Sequence, residues 1–404
     1  MYTRDKSYYD IVAHGLAAMG YESDGESTAL TKYIQDMFAN KYNAQRTFAQ
    51  VGFSLNPNIP INPTYEQIEA TIRPYTMAGY VDIDSDGPTK STDGLSLRTG
   101  GLPTFKHEVT LNRKMLREQM LLADKLGKFT PDMVDVVMEL FFKSVDDLLG
   151  GNYNTMLYQR HQIVSNECKL VINSNNNPLG VAMTLEFDGV VAGHKKTSTW
   201  YTKSGDTVTE DANIGTTKPL QVLKKVRRDA EDKDFCPLGG HWEVSKTTWD
   251  DVVGLPYFRK LWVNATRPDV SDATVIASLG SLATDETIKR FIEGIIGAPI
   301  VVIDSVSSIE KFNKATGKIE YSNVASFKEG VFVYVPGGEL GDVQFGRPIF
   351  METPGSRAAL YDGGRTLIRN VFNDENMNQY IKSEVTGLVV PNKTRWMYYV
   401  TVKG

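Results

Sequence analysis

The chain has 404 residues, enough to bury a large core and to form two or three domains. Apolar residues make up 41% and charged residues 23%, a globular composition rather than a disordered one. The net charge of −5 argues against a chain that works by wrapping phosphate. Cys168 and Cys236 lie far apart with no partner spacing, which points to a reducing compartment. The first ten residues lack the apolar stretch of a signal peptide, and the longest apolar run, near Ile295 to Ile303, is too short to cross a bilayer. The expectation is a soluble, intracellular protein without a membrane partner.

Over residues 1–70, short helical pieces alternate with loops. Ser27 to Gln45 reads as helix, and Ser54 to Pro63, with its prolines and asparagines, reads as extended. Such a stretch has few means to build a core and is expected to be an arm that packs on something else. Tyr75 to Thr110 reads as a hairpin-like loop, with a short strand at Tyr80, Val81 and Ile83 and a polar tip from Asp84 to Gly94. Leu95, Leu97 and Phe105 line its return limb. Loops of this length are usually functional or stabilised by a partner.

A helix is expected from Asn112 to about Lys125, and a much longer one from Thr130 to Asn173. The long helix opens on Thr130-Pro131-Asp132, which combines an N-cap, a proline at the first turn and a carboxylate facing the helix dipole. Apolar residues from Met133 to Val171 recur three and four apart, and the asparagines before Pro178 stop the helix. A continuous helix there spans about 65 Å. Gly150-Gly151 leaves open a second reading, two shorter core helices broken at that point.

Val181, Met183, Leu185, Phe187 and Val190 alternate as in a strand, and 194–216 reads as a threonine-rich loop or short strands. Pro219 to Lys233 is expected to be a helix with Leu220, Leu223, Val226 and Ala230 on one face. Val244 to Val253 and Pro256 to Trp262 supply short helical pieces, and Thr284-Asp285-Glu286 opens a helix that ends between Gly294 and Gly297. Strands follow at Pro299 to Asp304, Gly330 to Pro336, Gln379 to Val390 and Arg395 to Val402. The pattern is α+β, without βαβ repetition.

No catalytic constellation emerges from the residues. The histidines, His14, His107, His161, His194 and His241, never stand three or four apart, so no metal is expected on a helix face. There is no phosphate-binding loop and no nucleophile elbow. Gly337-Gly338-Glu339-Leu340-Gly341 is read as a turn. Asp82-Ile83-Asp84-Ser85-Asp86-Gly87 matches the start of a calcium loop, with Asp93 at its twelfth position. That twelfth ligand is the shorter carboxylate, the eighth position is Thr89, and neither flank reads as helix, so a polar turn is preferred. The basic run Lys224 to Arg228 is followed at once by acids, giving Lys225–Asp229, Arg227–Glu231 and Arg228–Asp232 at i,i+4, a solvated helix face. No cofactor and no enzymatic role are expected.

An arm, a long polar loop and an oversized helix make sense when neighbouring copies complete the packing across interfaces of roughly 2,000–5,000 Å². In this order of parts the chain resembles the major capsid proteins of tailed double-stranded DNA phages, the Hong Kong 97-type fold, and is closest in style to the lambda capsid protein E family. Arg98-Thr-Gly-Gly-Leu102-Pro103-Thr-Phe105-Lys-His-Glu-Val109 is similar to the return limb of that family's extended loop, and Leu148 to Asn173 to its spine helix. Thr199-Trp200 with Pro219 to Leu223 resembles the run into its axial domain, and His241 to Trp249 its short strand followed by a helix start. Phe332 to Phe345 and Asn376 to Thr401 resemble its later strands.

The resemblance implies an arm over 1–74, an extended loop over 75–111, a peripheral domain over 112–190, an axial domain over 191–350 and closing peripheral strands over 351–404. It also implies hexamers and pentamers that form an icosahedral shell around double-stranded DNA without sequence-specific binding. Implied partners are a portal and scaffolding or decoration proteins, any scaffold being a separate chain. The implied place is the virion capsid, assembled in the host cytoplasm. A tube or connector subunit is the alternative. Interface residues are expected on the loop at Leu95, Leu97, Arg98, Leu102 and Phe105, and the pair Phe105→Ala and Leu102→Ala is expected to impair assembly more than folding.

Overall fold

The computed structural model describes residues 16–17, 19–21, 29–71, 94–111, 133–177, 180–313, 318–349, 356–373 and 378–404. Where one helix is expected over Ser27 to Gln45, two form, Ala29–Asn40 (α1) and Ala44–Gln50 (α2). The break is chemical: Asn43 is extended, and its side chain accepts from Arg46 N at 3.0 Å, the N-cap of the second helix. Ile34, Phe38, Ala44 and Phe48 are all buried, so these helices supply core and are not the coreless arm expected.

Phe53–Leu55 (β1) follows, then Thr64–Thr71 (β2), Gly94–Gly101 (β3) and Thr104–Leu111 (β4). β2 and β3 pair as a two-stranded ribbon, so the hairpin begins about ten residues before Tyr75, at Thr64. The strand at Tyr80 to Ile83, the polar tip, the helix from Asn112 and the cap at Thr130-Pro131-Asp132 lie outside the described residues.

The long helix, Met133–Ser165 (α3), runs unbroken through Gly150-Gly151. Those glycines make room rather than a break. A Cβ on Gly151 would stand 2.3 Å from the His107 ring, and one on Gly150 3.3 Å from the Tyr42 hydroxyl. The helix ends before Asn173 because Glu167 and Cys168 turn left-handed, at φ 55° and 58°, with Cys168 N bonded to Ile163 O. Lys169–Ile172 (β5) then pairs with Met183–Glu186 (β6). Leu170 and Val171 fit a helix stripe and a strand equally well, which is why the sequence extends the helix too far.

The threonine-rich stretch is a strand pair rather than a loop: Lys195–Ser204 (β7) and Thr207–Glu210 (β8). β-branched threonines suit a pleated surface, and Trp200 and Tyr201 anchor it at 1% and 0% exposure. Ile214–Thr217 (α4) and Pro219–Asp232 (α5) lead to His241–Ser245 (β9), Lys246–Gly254 (α6) and Pro256–Thr266 (α7). Ala273–Ser281 (α8), which no pattern announced, is capped by Asp272. Asp285–Ile296 (α9) starts on Thr284 and ends on Gly297 as expected. Ile300–Ile303 (β10), the hairpin Val306–Asn313 (β11) with Lys318–Ala325 (β12), and Val331–Val335 (β13) follow. Gly341–Gly346 (β14), Ser356–Tyr361 (β15), Thr366–Asn373 (β16), Asn378–Pro391 (β17) and Tyr398–Lys403 (β18) complete the chain. The α+β reading holds.

Two compact units divide these elements: residues 1–65, 99–157 and 342–389, and residues 66–98, 158–341 and 390–404. The first contains the sheet β1-β14-β17-β16-β15, with β4 on β17 in register Phe105↔Val385. Its core gathers Ile34, Phe38, Val145, Leu148, Leu149, Ile368 and Ile381. The second is built on the sheet β10-β9-β13-β18-β7-β8, in which β18 runs parallel to β7. Trp200, Trp242, Phe258, Ile288, Ile292 and Phe332 fill its core. Of the three expected charge pairs on α5, Arg227–Glu231 forms, while Asp229 takes Lys233. Arg227 also donates to the carbonyls of Ile296 and Gly297, which end α9.

Candidate assembly ribbon

The β2–β3 ribbon has an inverted amphipathic pattern. Along β2, Tyr65, Gln67 and Glu69 are buried, at 3%, 2% and 8% exposure, while Ile68 between them is 50% exposed. Leu102 N donates to Pro63 O at 2.8 Å, and Ser96 Oγ to Glu69 O at 3.5 Å. These contacts count in opposite directions along the two strands, so Ile68 stands across from Leu97, which is 65% exposed. Half-buried ribbons ordinarily turn apolar side chains inward and polar ones to water. Here polar groups face in and an apolar cross-strand pair faces out.

What holds the polar face is a set of directional bonds. Gln67 Nε2 donates to Asp188 O at 3.1 Å and to Pro391 O at 3.0 Å, and Asp188 N donates back to Gln67 Oε1 at 3.1 Å. Arg395 N donates to Glu69 Oε1 at 3.1 Å, and Thr394 Oγ1 lies 3.1 Å from that same oxygen. Thr394 Oγ1 is also 2.6 Å from Asp188 O. Arg98 on β3 pairs with the Asp188 carboxylate at 2.5 Å. Burial raises the Glu69 pKa and Asp188 adds to the rise, while bonds from Thr394 and Arg395 and the Arg395 charge oppose it.

Gly189 closes this clamp. Its φ is +104°, and a Cβ there would sit 2.1 Å from both Glu69 Oε2 and Thr394 Oγ1. Only a residue without a side chain lets the 187–189 turn meet Glu69 so closely.

The expected interface residues fall in different surroundings. Leu97 is exposed and Arg98 is engaged with Asp188. Leu102 is 8% exposed, packed inside its own chain, so truncating it acts on folding as well as on any interface. Phe105 is half-buried on β4. Leu95 lies on β3, but its side chain is outside the described residues, as are Asp82, Asp84, Asp86 and Asp93 of the calcium-like loop and His14.

Sequence reasoning missed Gln67, Glu69, Asp188, Gly189 and Thr394. The available signal was the alternation Tyr65-x-Gln67-x-Glu69, which marks one strand face without saying that a polar face is buried.

His161 bonds Ser326 Oγ at 3.1 Å, His241 bonds Glu243 at 3.0 Å, and His194 stacks on Tyr398 with ring centroids 3.7 Å apart. Among the described residues, no group of three or more His, Cys, Asp or Glu could hold a metal ion. Nor is any described helix long and apolar enough to cross a membrane. Cys168 and Cys236 are both buried and free.

No family model matches the chain, and no curated protein matches it. Solved structures do. A phage-related protein from Bordetella bronchiseptica RB50 is similar at 10% identity and a TM-score of 0.41, over 92% of this chain and 96% of that one. The capsid of Myoviridae phage XM1 is similar at 9% identity and a TM-score of 0.41, over 88% and 91%. The capsid of cyanophage P-SCSP1u is similar at 8% identity and a TM-score of 0.41, over 85% of each chain.

Proposed function

We propose that the chain is a shell-forming major capsid protein of the Hong Kong 97-type. In this reading its copies join through hexamers and pentamers into an icosahedral shell that encloses double-stranded DNA. Its role is structural rather than catalytic. The extended loop over 75–111, the peripheral and axial domains and the closing strands are proposed with the bounds given above, except that the paired strands of the loop reach back to Thr64. Portal, scaffolding or decoration proteins are its proposed partners, and the particle assembles in the host cytoplasm.

The observation that carries this reading is the inverted ribbon. A polar face locked to the chain by buried hydrogen bonds fixes direction, and an apolar cross-strand pair left in water gains only when another surface covers it. The order of parts along the sequence supports the same conclusion. Leu97 and Ile68, rather than Leu102, are the residues on which a neighbouring copy is expected to close. The mild negative charge fits a container whose DNA must leave again, since strong phosphate binding would hold it.

Electron microscopy of the purified, concentrated chain tests the proposal. Closed polyhedra and six- or five-membered rings are expected. Tubes or single rings of one size would point to a tube or connector subunit instead, and a monomer at every concentration would end the shell reading.

A further inference from the structure

The clamp on the polar face of the ribbon does not balance if Glu69 is ionised. Thr394 Oγ1 lies 2.6 Å from Asp188 O and 3.1 Å from Glu69 Oε1, yet a threonine hydroxyl carries one proton. A main-chain carbonyl can only accept, and it is the nearer partner, so that proton belongs to Asp188 O. The carbonyl's second lone pair takes Gln67 Nε2 at 3.1 Å. With a carboxylate at Glu69, two acceptors would face each other at 3.1 Å in a buried site, where Thr394 is 0% exposed and Glu69 8%. A carboxylic acid resolves the count. Glu69 Oε1–H donates to Thr394 Oγ1, Thr394 O–H donates to Asp188 O, and a lone pair of the same Oε1 still accepts from Arg395 N.

We propose that Glu69 is held as a neutral acid that pins the ribbon through Thr394 to the 187–189 turn, and that loss of its proton loosens the ribbon there. This goes beyond the shell reading and holds whatever the ribbon meets. The charged groups around it come from each packed segment: Asp188 on the turn, Arg395 on the 394–396 turn, and Arg98 on β3. Asp188 favours the neutral acid and Arg395 opposes it. Arg98 is itself engaged with Asp188 at 2.5 Å. The nearby Cys168 thiol is fully buried, its pKa is pushed up to about 12, and it adds no charge at neutral pH.

The sign follows from linkage. A carboxyl whose folded pKa is raised contributes its full stabilisation below the unfolded value and loses it as pH rises through the folded value. The ribbon is therefore held most firmly at mildly acidic pH and released as pH rises.

Hydrogen exchange of peptides covering 64–71 and 94–101 in the full-length chain, corrected for intrinsic rates between pH 5 and 9, tests this. In the natural chain, ribbon protection is expected to fall by up to about tenfold per pH unit between the ordinary carboxyl pKa of the open ribbon and the raised Glu69 pKa of the closed one, and to level off above it. Glu69→Gln cannot titrate, so it should lose the slope. Its amide meets Thr394 and Arg395 N through one atom, as Glu69 Oε1 does, and satisfies only one of them, so a uniform drop in protection at every pH is expected as well. A natural chain with a flat profile would overturn the proposal, as would a Glu69→Gln chain that keeps the slope. Infrared difference spectra at the acid end of that range give an independent reading: a protonated-carboxyl band that Glu69→Gln lacks is expected, and its absence refutes the neutral acid.

Discussion

Arg160 and Glu243 meet with side-chain exposures of 3% and 1%, in a two-pronged contact with Arg160 Nη1 2.6 Å from Glu243 Oε2. His241 adds a bond to Glu243 Oε1 at 3.0 Å. Burial alone would raise the Glu243 pKa, but the Arg160 charge and the bonds from His241 and Arg160 outweigh it and bring the pKa down to about 2. A depressed carboxyl stabilises the fold above its unfolded pKa, near about 4.3, and loses that contribution only as pH falls toward 2. Removing one partner leaves the other charge buried, so Arg160→Ala is expected to cost about 3–5 kcal/mol in urea unfolding. Arg160→Met with Glu243→Met should cost much less. Equal losses in the two variants would mean that packing, not charge, decides this site.

Next to that pair, burial and the Arg160 charge lower the His161 pKa to about 4. The neutral ring faces Ser326, and its contribution is complete above roughly pH 6.5 and lost as pH falls toward 4. The melting temperature should therefore drop between pH 6.5 and 4.5, well before Glu243 protonates. His161→Asn should remove much of that drop. Some will remain, because burial lowers the His194 pKa as well. An unchanged pH profile in His161→Asn would show that the ring does not stay neutral in the folded chain.

At the scale of elements, the ribbon stands or falls with the turn it is bonded to. Gly189→Ala asks for a side chain at φ +104° and puts a Cβ 2.1 Å from two buried oxygens, so a loss of about 2–4 kcal/mol is expected. The loss should be local, seen as faster exchange in 64–71 and 94–101 with little change in the sheets. A global drop spread over both units would show instead that the clamp belongs to the folding core. Much of the rest of the fold could be read from residue order. Thr284 and Gly297 bound α9 as their chemistry requires, Pro219 opens α5, and alternation finds β13, β17 and β18. What stayed hidden is decided by tertiary contact. The stop at Ser165 depends on a left-handed pair, Glu167 and Cys168, which no stop residue marks. The hairpins β11–β12 and β15–β16 are short and mixed in polarity, with no dominant period. The clamp is a meeting of segments more than 100 residues apart in places, Gln67 with Asp188 and Pro391.

For the molecule among its copies, the proposed shell makes a demand that a simple dimer does not. Each ribbon contact is modest, and closure comes from many of them acting together. Ile68 and Leu97 are exposed in the single chain, so Leu97→Asp should change the unfolding free energy by less than about 0.5 kcal/mol, the size usual for surface sites. A carboxylate pressed into an apolar neighbour cannot be tolerated in the same way, and shells of the pure variant are not expected. Mixing gives the sharper measurement. If one altered ribbon spoils a six-membered ring, then at a tenth of variant only about half of the rings are free of it, and yield falls faster than the fraction added. Light scattering and electron microscopy of natural and Leu97→Asp chains, unfolded together and refolded at set ratios, should trace that steep curve. A yield that declines only in proportion to the natural chain present would mean that each ribbon acts alone, and the contact would have to lie elsewhere on the molecule.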